Sequence, residues 1–184
     1  MIIGDIAFTL KDGRAAVLRS PDKGDAEVML EFIRKASDET EFLANYPEEY
    51  DHFTLESEEA FIQSSNDSPD GVMIACFVEG KFAGNSQIVF RTGLKDRHRA
   101  SVAIAILQEY WNLGIGTRMF EELFRIAELR GGIRQIELEF IEGNSRARAL
   151  YEKMGFSITG VKPDAIRLRN GAYVNEYMMI KKLY

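Results

Sequence analysis

Ile106-Leu-Gln-Glu-Tyr-Trp111-Asn-Leu-Gly114-Ile-Gly116-Thr117-Arg118-Met119 is the stretch on which the reading of this chain turns. It leaves an apolar run, passes through two glycines and enters a segment of helical period. A helix N-terminus offers unpaired main-chain N–H groups and a partial positive charge, which suits a phosphate. Glycine lets a ligand approach the backbone with no side chain in the way. Taken alone, Gly-x-Gly before a helix also fits simple tight packing. Other phosphate loops are excluded by residue. A dinucleotide fingerprint needs a third glycine where Met119 stands, and a Walker loop needs Gly-Lys-Ser or Gly-Lys-Thr. No Gly-x-Ser-x-Gly elbow occurs anywhere in the chain. Phosphate binding survives; hydride transfer and nucleotide hydrolysis lose support.

Working outward, Ser101 to Leu107 reads as a strand apolar on both faces. On the other side Met119, Leu123 and Ile126, flanked by Phe120, Phe124 and Ala127, form a broad apolar stripe. Glu121, Glu122, Arg125 and Glu128 lie opposite, and Gly131-Gly132 ends the helix. Upstream, Asp12-Gly13 turns a hairpin within residues 1–20. Met29, Phe32, Ile33 and Ala36 predict a helix over about residues 24–36, and a shorter one is expected over 57–65. Val72–Val78 and Phe82–Phe90 read as strands joined by Glu79-Gly80-Lys81. Downstream, Ile136–Phe140 alternates as a strand, and Ala147, Leu150, Tyr151 and Met154 mark a helix stopped at Gly155. Closing strands follow at Phe156–Val161 and Tyr173–Lys181. With no repeat or linker, residues 1–184 read as one α/β domain: a mixed, partly antiparallel sheet with helices on both faces.

The segment after the next strand reads Asn144-Ser-Arg-Ala147-Arg-Ala-Leu150-Tyr151-Glu-Lys153-Met-Gly155-Phe156. With the glycine loop, it resembles the GNAT N-acetyltransferase superfamily. There the cofactor loop is commonly Arg/Gln-x-x-Gly-x-Gly/Ala, and the later helix reads Asn-x-x-Ala-x-x-x-Tyr-x-x-x-Gly-Phe. The matches are Gly114 and Gly116 in the loop, then Asn144, Ala147, Tyr151, Gly155 and Phe156. The resemblance covers the chain from about Arg14 onward, with its motifs in residues 104–117 and 144–156. One departure is Trp111, where arginine or glutamine is usual. Relatives of the ribosomal-protein and antibiotic acetyltransferase type tolerate tryptophan there, and Trp111 otherwise packs on the sheet.

The resemblance implies acetyl-CoA as co-substrate, lying between splayed strands that end near Ile106 and Phe140. Its pantetheine arm would pair with the backbone of Ile104, Ala105 and Ile106. Its pyrophosphate would rest on the loop of Trp111, Asn112, Leu113, Gly114, Ile115, Gly116 and Thr117, with Arg118 nearby. Asn144 would steady the pantetheine or cap its own helix, beside Ala147. The implied reaction is direct attack of a neutral amine on the thioester, with a backbone N–H near Ile106 steadying the oxyanion. Tyr151 would protonate the leaving thiolate, although its position also continues an apolar stripe. Attack needs a base. Glu109 is taken for it, with Glu137, Glu139 and Glu176 as alternatives. A non-catalytic acetyl-CoA sensor would carry the same motifs.

Bulk properties bound the rest. At 184 residues, 46% hydrophobic and 28% charged, the chain is of soluble globular type. Met1-Ile-Ile-Gly-Asp lacks a basic n-region, and no run of about 18 apolar residues occurs, so neither a secretory signal nor a membrane span is expected. A cytoplasmic setting follows as an expectation. Cys76 sits in an apolar run and reads as inert strand core, and with two histidines a zinc site is not expected. The net charge of −6 argues against nucleic acid. No lysine or arginine lies between Lys35 and Lys81, while Asp38, Glu39, Glu41, Glu48, Glu49, Asp51, Glu56, Glu58 and Glu59 crowd its first half. That field would draw a cationic small-molecule or peptide amine as acceptor, though it equally suits a solvated acidic surface. Dimers are common in the family, so a homodimer stays open.

Overall fold

A computed structural model describes residues 1–183. Asp-Gly makes the first turn, with Gly13 at φ 91°, between β1 (Ile6–Thr9) and β2 (Ala15–Arg19). A 3₁₀ turn at Lys23–Asp25 then starts α1 (Ala26–Asp38). Asp22 and Asp25 cap that turn reciprocally, and Arg19 clasps Asp25 through two 2.7 Å hydrogen bonds. α2 (Leu55–Asp67) begins at Thr54, whose hydroxyl accepts from the Ser57 amide. Glu79 and Gly80, both at positive φ, turn β3 (Gly71–Val78) into β4 (Lys81–Phe90). After β5 (Arg99–Ile106) come α3 (Ile115–Arg130), β6 (Gln135–Ile141), α4 (Ser145–Lys153), β7 (Ser157–Arg167) and β8 (Tyr173–Lys182).

One eight-stranded sheet runs in the order β1-β2-β3-β4-β5-β6-β8-β7. Every neighbouring pair is antiparallel except β5–β6. The mixed α/β sheet with helices on both faces is therefore as expected. The α3 face holds the main core, where Ile74, Cys76 and Ile88 meet Met119, Phe120 and Leu123. On the other face Met73 packs with Met29 and Ile62 of α1 and α2. The stripe on α3 is wider than its period suggests. Glu122, expected on the polar side, is only 2% exposed and is held by Arg125, whose Nε donates at 3.0 Å. No described helix is long and apolar enough to cross a membrane.

The parallel pair positions everything that follows. β5 and β6 share only Arg99–Gln135, Ala100–Ile136 and Ser101–Glu137 before parting. Beyond that point β5 stays paired to β4 as far as Ile106, and β6 stays paired to β8 as far as Ile141. A wedge opens within an otherwise continuous sheet.

Candidate functional site

The wedge holds a cavity of roughly 660 Å³, which runs from α3 and α4 to the loop after α1. Its walls include Ile104, Ala105, Ile106, Trp111, Asn112, Gly114, Ile115, Gly116, Thr117, Asn144, Ala147 and Tyr151, all singled out from sequence. Leu113 is the exception in the loop: it packs toward the core and its carbonyl accepts from the Lys11 amide at 3.1 Å.

Backbone alternation tells which groups face the gap. The Leu107 N–H bonds the Ala83 carbonyl at 3.0 Å, so 83/107 is a hydrogen-bonded pair. In an antiparallel ladder such pairs recur every second residue, which points the amide and carbonyl of Ala105 at Asn85. The corresponding groups of Ile104 and Ile106 point into the wedge instead. Ala105 therefore meets the cavity by its side chain alone. The Ile106 carbonyl is already engaged by the Trp111 indole Nε1 at 2.7 Å, and the Arg146 guanidinium covers that indole at 3.4 Å from the ring centre. What stays open is the Ile106 N–H and both groups of Ile104.

Past β5 the chain bends through a 3₁₀ turn (Gln108–Tyr110), then through Asn112 and Gly114 at φ 64° and 101°, into α3. Arg118 N–H makes the first bond back, to Gly114 O at 3.1 Å, so Ile115, Gly116 and Thr117 have amides with no intrahelical acceptor. There is no acidic residue in that first turn. A Cβ at Gly116 would lie 2.7 Å from Leu150 Cδ2 on α4, so a larger residue there must displace the Leu150 side chain. Lys153 donates to Thr117 Oγ1 at 3.1 Å, and Lys11 and Arg146 also reach the cavity wall. These three cations were not singled out from sequence. Lys11 comes from the remote N-terminal hairpin, and the other two sit unmarked within the α4 motif. Arg118 turns to Glu121 at 3.4 Å instead. Open amides, cations and a free strand edge together suit a long ligand with a phosphorylated head.

Asn144 takes the capping role, its Oδ1 accepting from the Ala147 amide at 3.1 Å. Tyr151 is only 7% exposed, its ring packed by Phe120, Phe140 and Phe156. Among the described residues its phenol has no hydrogen-bond partner, and burial pushes its pKa up to about 12.

The carboxylates divide. Glu109 does not line the cavity, so its placement does not fit the expected base. It is an exposed side chain on the 3₁₀ turn, drawn to Lys35 at 2.7 Å, and the hydrogen bond from that ammonium holds it below the usual carboxylate range. Glu137 is likewise outside, clasped and lowered by Arg99 at 2.6 and 2.7 Å. Glu139 and Glu176 do line the cavity, and both bind Lys162, at 2.8 and 2.9 Å. From the acidic stretch Glu39 alone lines the wall, with Phe42, Leu43 and Ala44 beside it. The β7–β8 turn reaches across to this region: Arg169 pairs with Glu48 at 2.5 Å and lies 4.1 Å over the Tyr46 ring.

Comparison with known proteins agrees with this geometry. No curated protein matches the chain. The structure is similar to an acetyltransferase of the GNAT family from Streptococcus pneumoniae, with TM-score 0.84 and 28% identity over 91% of this chain and 99% of that one. A ribosomal-protein-alanine N-acetyltransferase from Brucella melitensis shares the fold at TM-score 0.76 and 20% identity, over 90% and 99% of the two chains. So does yncA from Salmonella typhimurium, solved with its cofactor acetyl-CoA, at TM-score 0.77 and 16% identity over 92% and 94%. The family model of the acetyltransferase (GNAT) family matches residues 33–156, a span that contains the wedge, the glycine turn and α4. On that match, joined to the split between β5 and β6, the chain belongs to the acetyltransferase (GNAT) family.

Proposed function

We propose that this chain moves an acetyl group from acetyl-CoA to a primary amine by direct attack, as one catalytic domain working in the cytoplasm. The observation that carries the reading is the wedge itself, an unpaired β5 edge leading to the open N-terminus of α3. Acetyl-CoA supplies the activated acetyl thioester. Ile104 and the Ile106 N–H offer main-chain bonds along the pantetheine, as an added strand would receive. The amides of Ile115, Gly116 and Thr117, with Lys11, Arg146 and Lys153, receive the phosphates.

Tyr151 donates a proton to the leaving sulfur. A phenol held near 12 stays protonated throughout the neutral range, and among the described residues it has no partner to compete for that proton. Glu139 and Glu176 are better placed than Glu109 to accept the amine's proton, because they face the cavity. They and Glu39 also give its wall a negative character suited to a cationic small-molecule, amino-acid or peptide amine.

Calorimetric titration with acetyl-CoA, repeated on Gly116→Trp, tests the donor half. Micromolar binding that the substitution abolishes supports the site, whereas no binding by folded wild-type protein overturns it. A screen of amines by thiol release tests the other half. Tight cofactor binding without turnover of any amine would point to an acetyl-CoA sensor.

A further inference from the structure

A second concavity, of roughly 670 Å³, lies away from the wedge, where the β4–β5 loop meets the end of α3. Arg91, Arg97, His98 and Arg130 line it, and Asp70 is its only carboxylate among the described residues. In a chain of net charge −6, residues 91–99 carry Arg91, Lys95, Arg97 and Arg99 against Asp96 alone.

Partners sharpen the contrast. Arg99 is neutralised by Glu137, and Arg130 is tied to Asp70 at 2.8 Å while lying 4.6 Å over the Phe90 ring. Arg97 has no acidic partner among the described residues, and Arg91 has only the Ser101 hydroxyl, at 3.2 Å. Arg130 and Asp70 cancel, which leaves two guanidinium groups on one concave wall with no salt bridge among the described residues. Gly131 and Gly132 complete it, and a Cβ on either would meet nothing within 4 Å, so the floor is open. Lone exposed cations are ordinary; their convergence on a concavity the size of a small-molecule site is not. Guanidinium groups pair with phosphoryl oxygens in bidentate fashion, more strongly than with neutral acceptors.

We infer that this cleft is an anion site for a small phosphorylated ligand, separate from the acetyl-transfer cavity and standing independently of that reading. The same chemistry on a membrane would come from a lipid headgroup; the concave wall favours a free ligand.

The test is amide chemical-shift mapping of the protein, titrated with inorganic phosphate against chloride at equal ionic strength. Saturable shifts at residues 91–98 and 130–133 with phosphate alone are expected, and shifts at residues 115–117 report the other site separately. Arg91→Gln with Arg97→Gln should weaken the response at least about tenfold, with the remaining spectrum intact. Equal shifts with chloride, no saturation, or full retention in the double variant would overturn the site. So would binding to phosphatidylglycerol vesicles without any response to free phosphate.

Discussion

The indole nitrogen of Trp111 holds the main-chain carbonyl of Ile106 at 2.7 Å, across five residues of chain. The contact ties the turn before α3 to the last residue of β5, and Arg146 stacks on its outer side. In Trp111→Phe a smaller aromatic ring remains and the donor is lost. A hydrogen bond of this type contributes on the order of 1 kcal/mol, so acetyl-CoA binding should weaken about fivefold by calorimetry. Unchanged affinity would mean that the position of Ile106 does not depend on the indole.

Gly84 on β4 faces a main-chain atom, with a Cβ there lying 2.6 Å from the Ala105 carbonyl oxygen. Neither partner is a flexible side chain, so β4 and β5 must part for Gly84→Ala to fit. Overpacking of this sort costs about 1–3 kcal/mol, which a urea titration at constant m-value should report. A wild-type midpoint would show that the strands yield freely.

Tyr151→Phe retains the aromatic packing and removes only the hydroxyl proposed as the acid. Thiol release at neutral pH should fall about a hundredfold while acetyl-CoA affinity is little changed. Equal turnover would assign Tyr151 to packing alone.

Alkaline stability follows from two buried acids. Burial raises Cys76 from 9.0, and Tyr151 from 10.0, each to about 12. For both, the unfolded chain releases its proton first as pH climbs. Their contribution to stability is therefore full below pH 9.0 and lost progressively on the way to about 12. Cys76→Ala should flatten the early part of that decline in a pH series of melting temperatures, and an unflattened curve would refute the assignment.

Arg169 bridges the β7–β8 turn to Glu48 and Tyr46. Both partners of the ion pair are more than half exposed, so Arg169→Ala should alter global stability by less than about 1 kcal/mol. Its effect belongs in the acceptor KM, raised severalfold with acetyl-CoA affinity unchanged. A change in cofactor affinity instead would place the strap in the donor half.

Local signals carried most of these elements into view from sequence alone. Asp12-Gly13, Glu79-Gly80 and Gly131-Gly132 punctuate the chain because their backbone conformations are intrinsic to short segments. Alternation and helical period are equally local. The insertion of β8 between β6 and β7 is not, since nothing in residues 173–182 names a partner strand. Loop 39–54 has no period, so the approach of Phe42 and Leu43 to the cavity was hidden. The direction of Glu109 depends on one 3₁₀ turn and on Lys35, which lies 74 residues earlier in the chain. Lys11 was missed for the same reason: its place on the cavity wall arises from a hairpin docking on a distant helix end.

The brevity of the β5–β6 ladder has one more consequence. The two portions of the sheet are stitched edge to edge by three residue pairs, and the remaining length of that seam has no protein strand to close it. A guest running along Ile104 and Ile106 would act as a removable ninth strand, so occupancy and rigidity become a single variable. Amide exchange at these two positions would then serve as a gauge of cofactor supply, fast when the seam stands open and slow when it is laced shut.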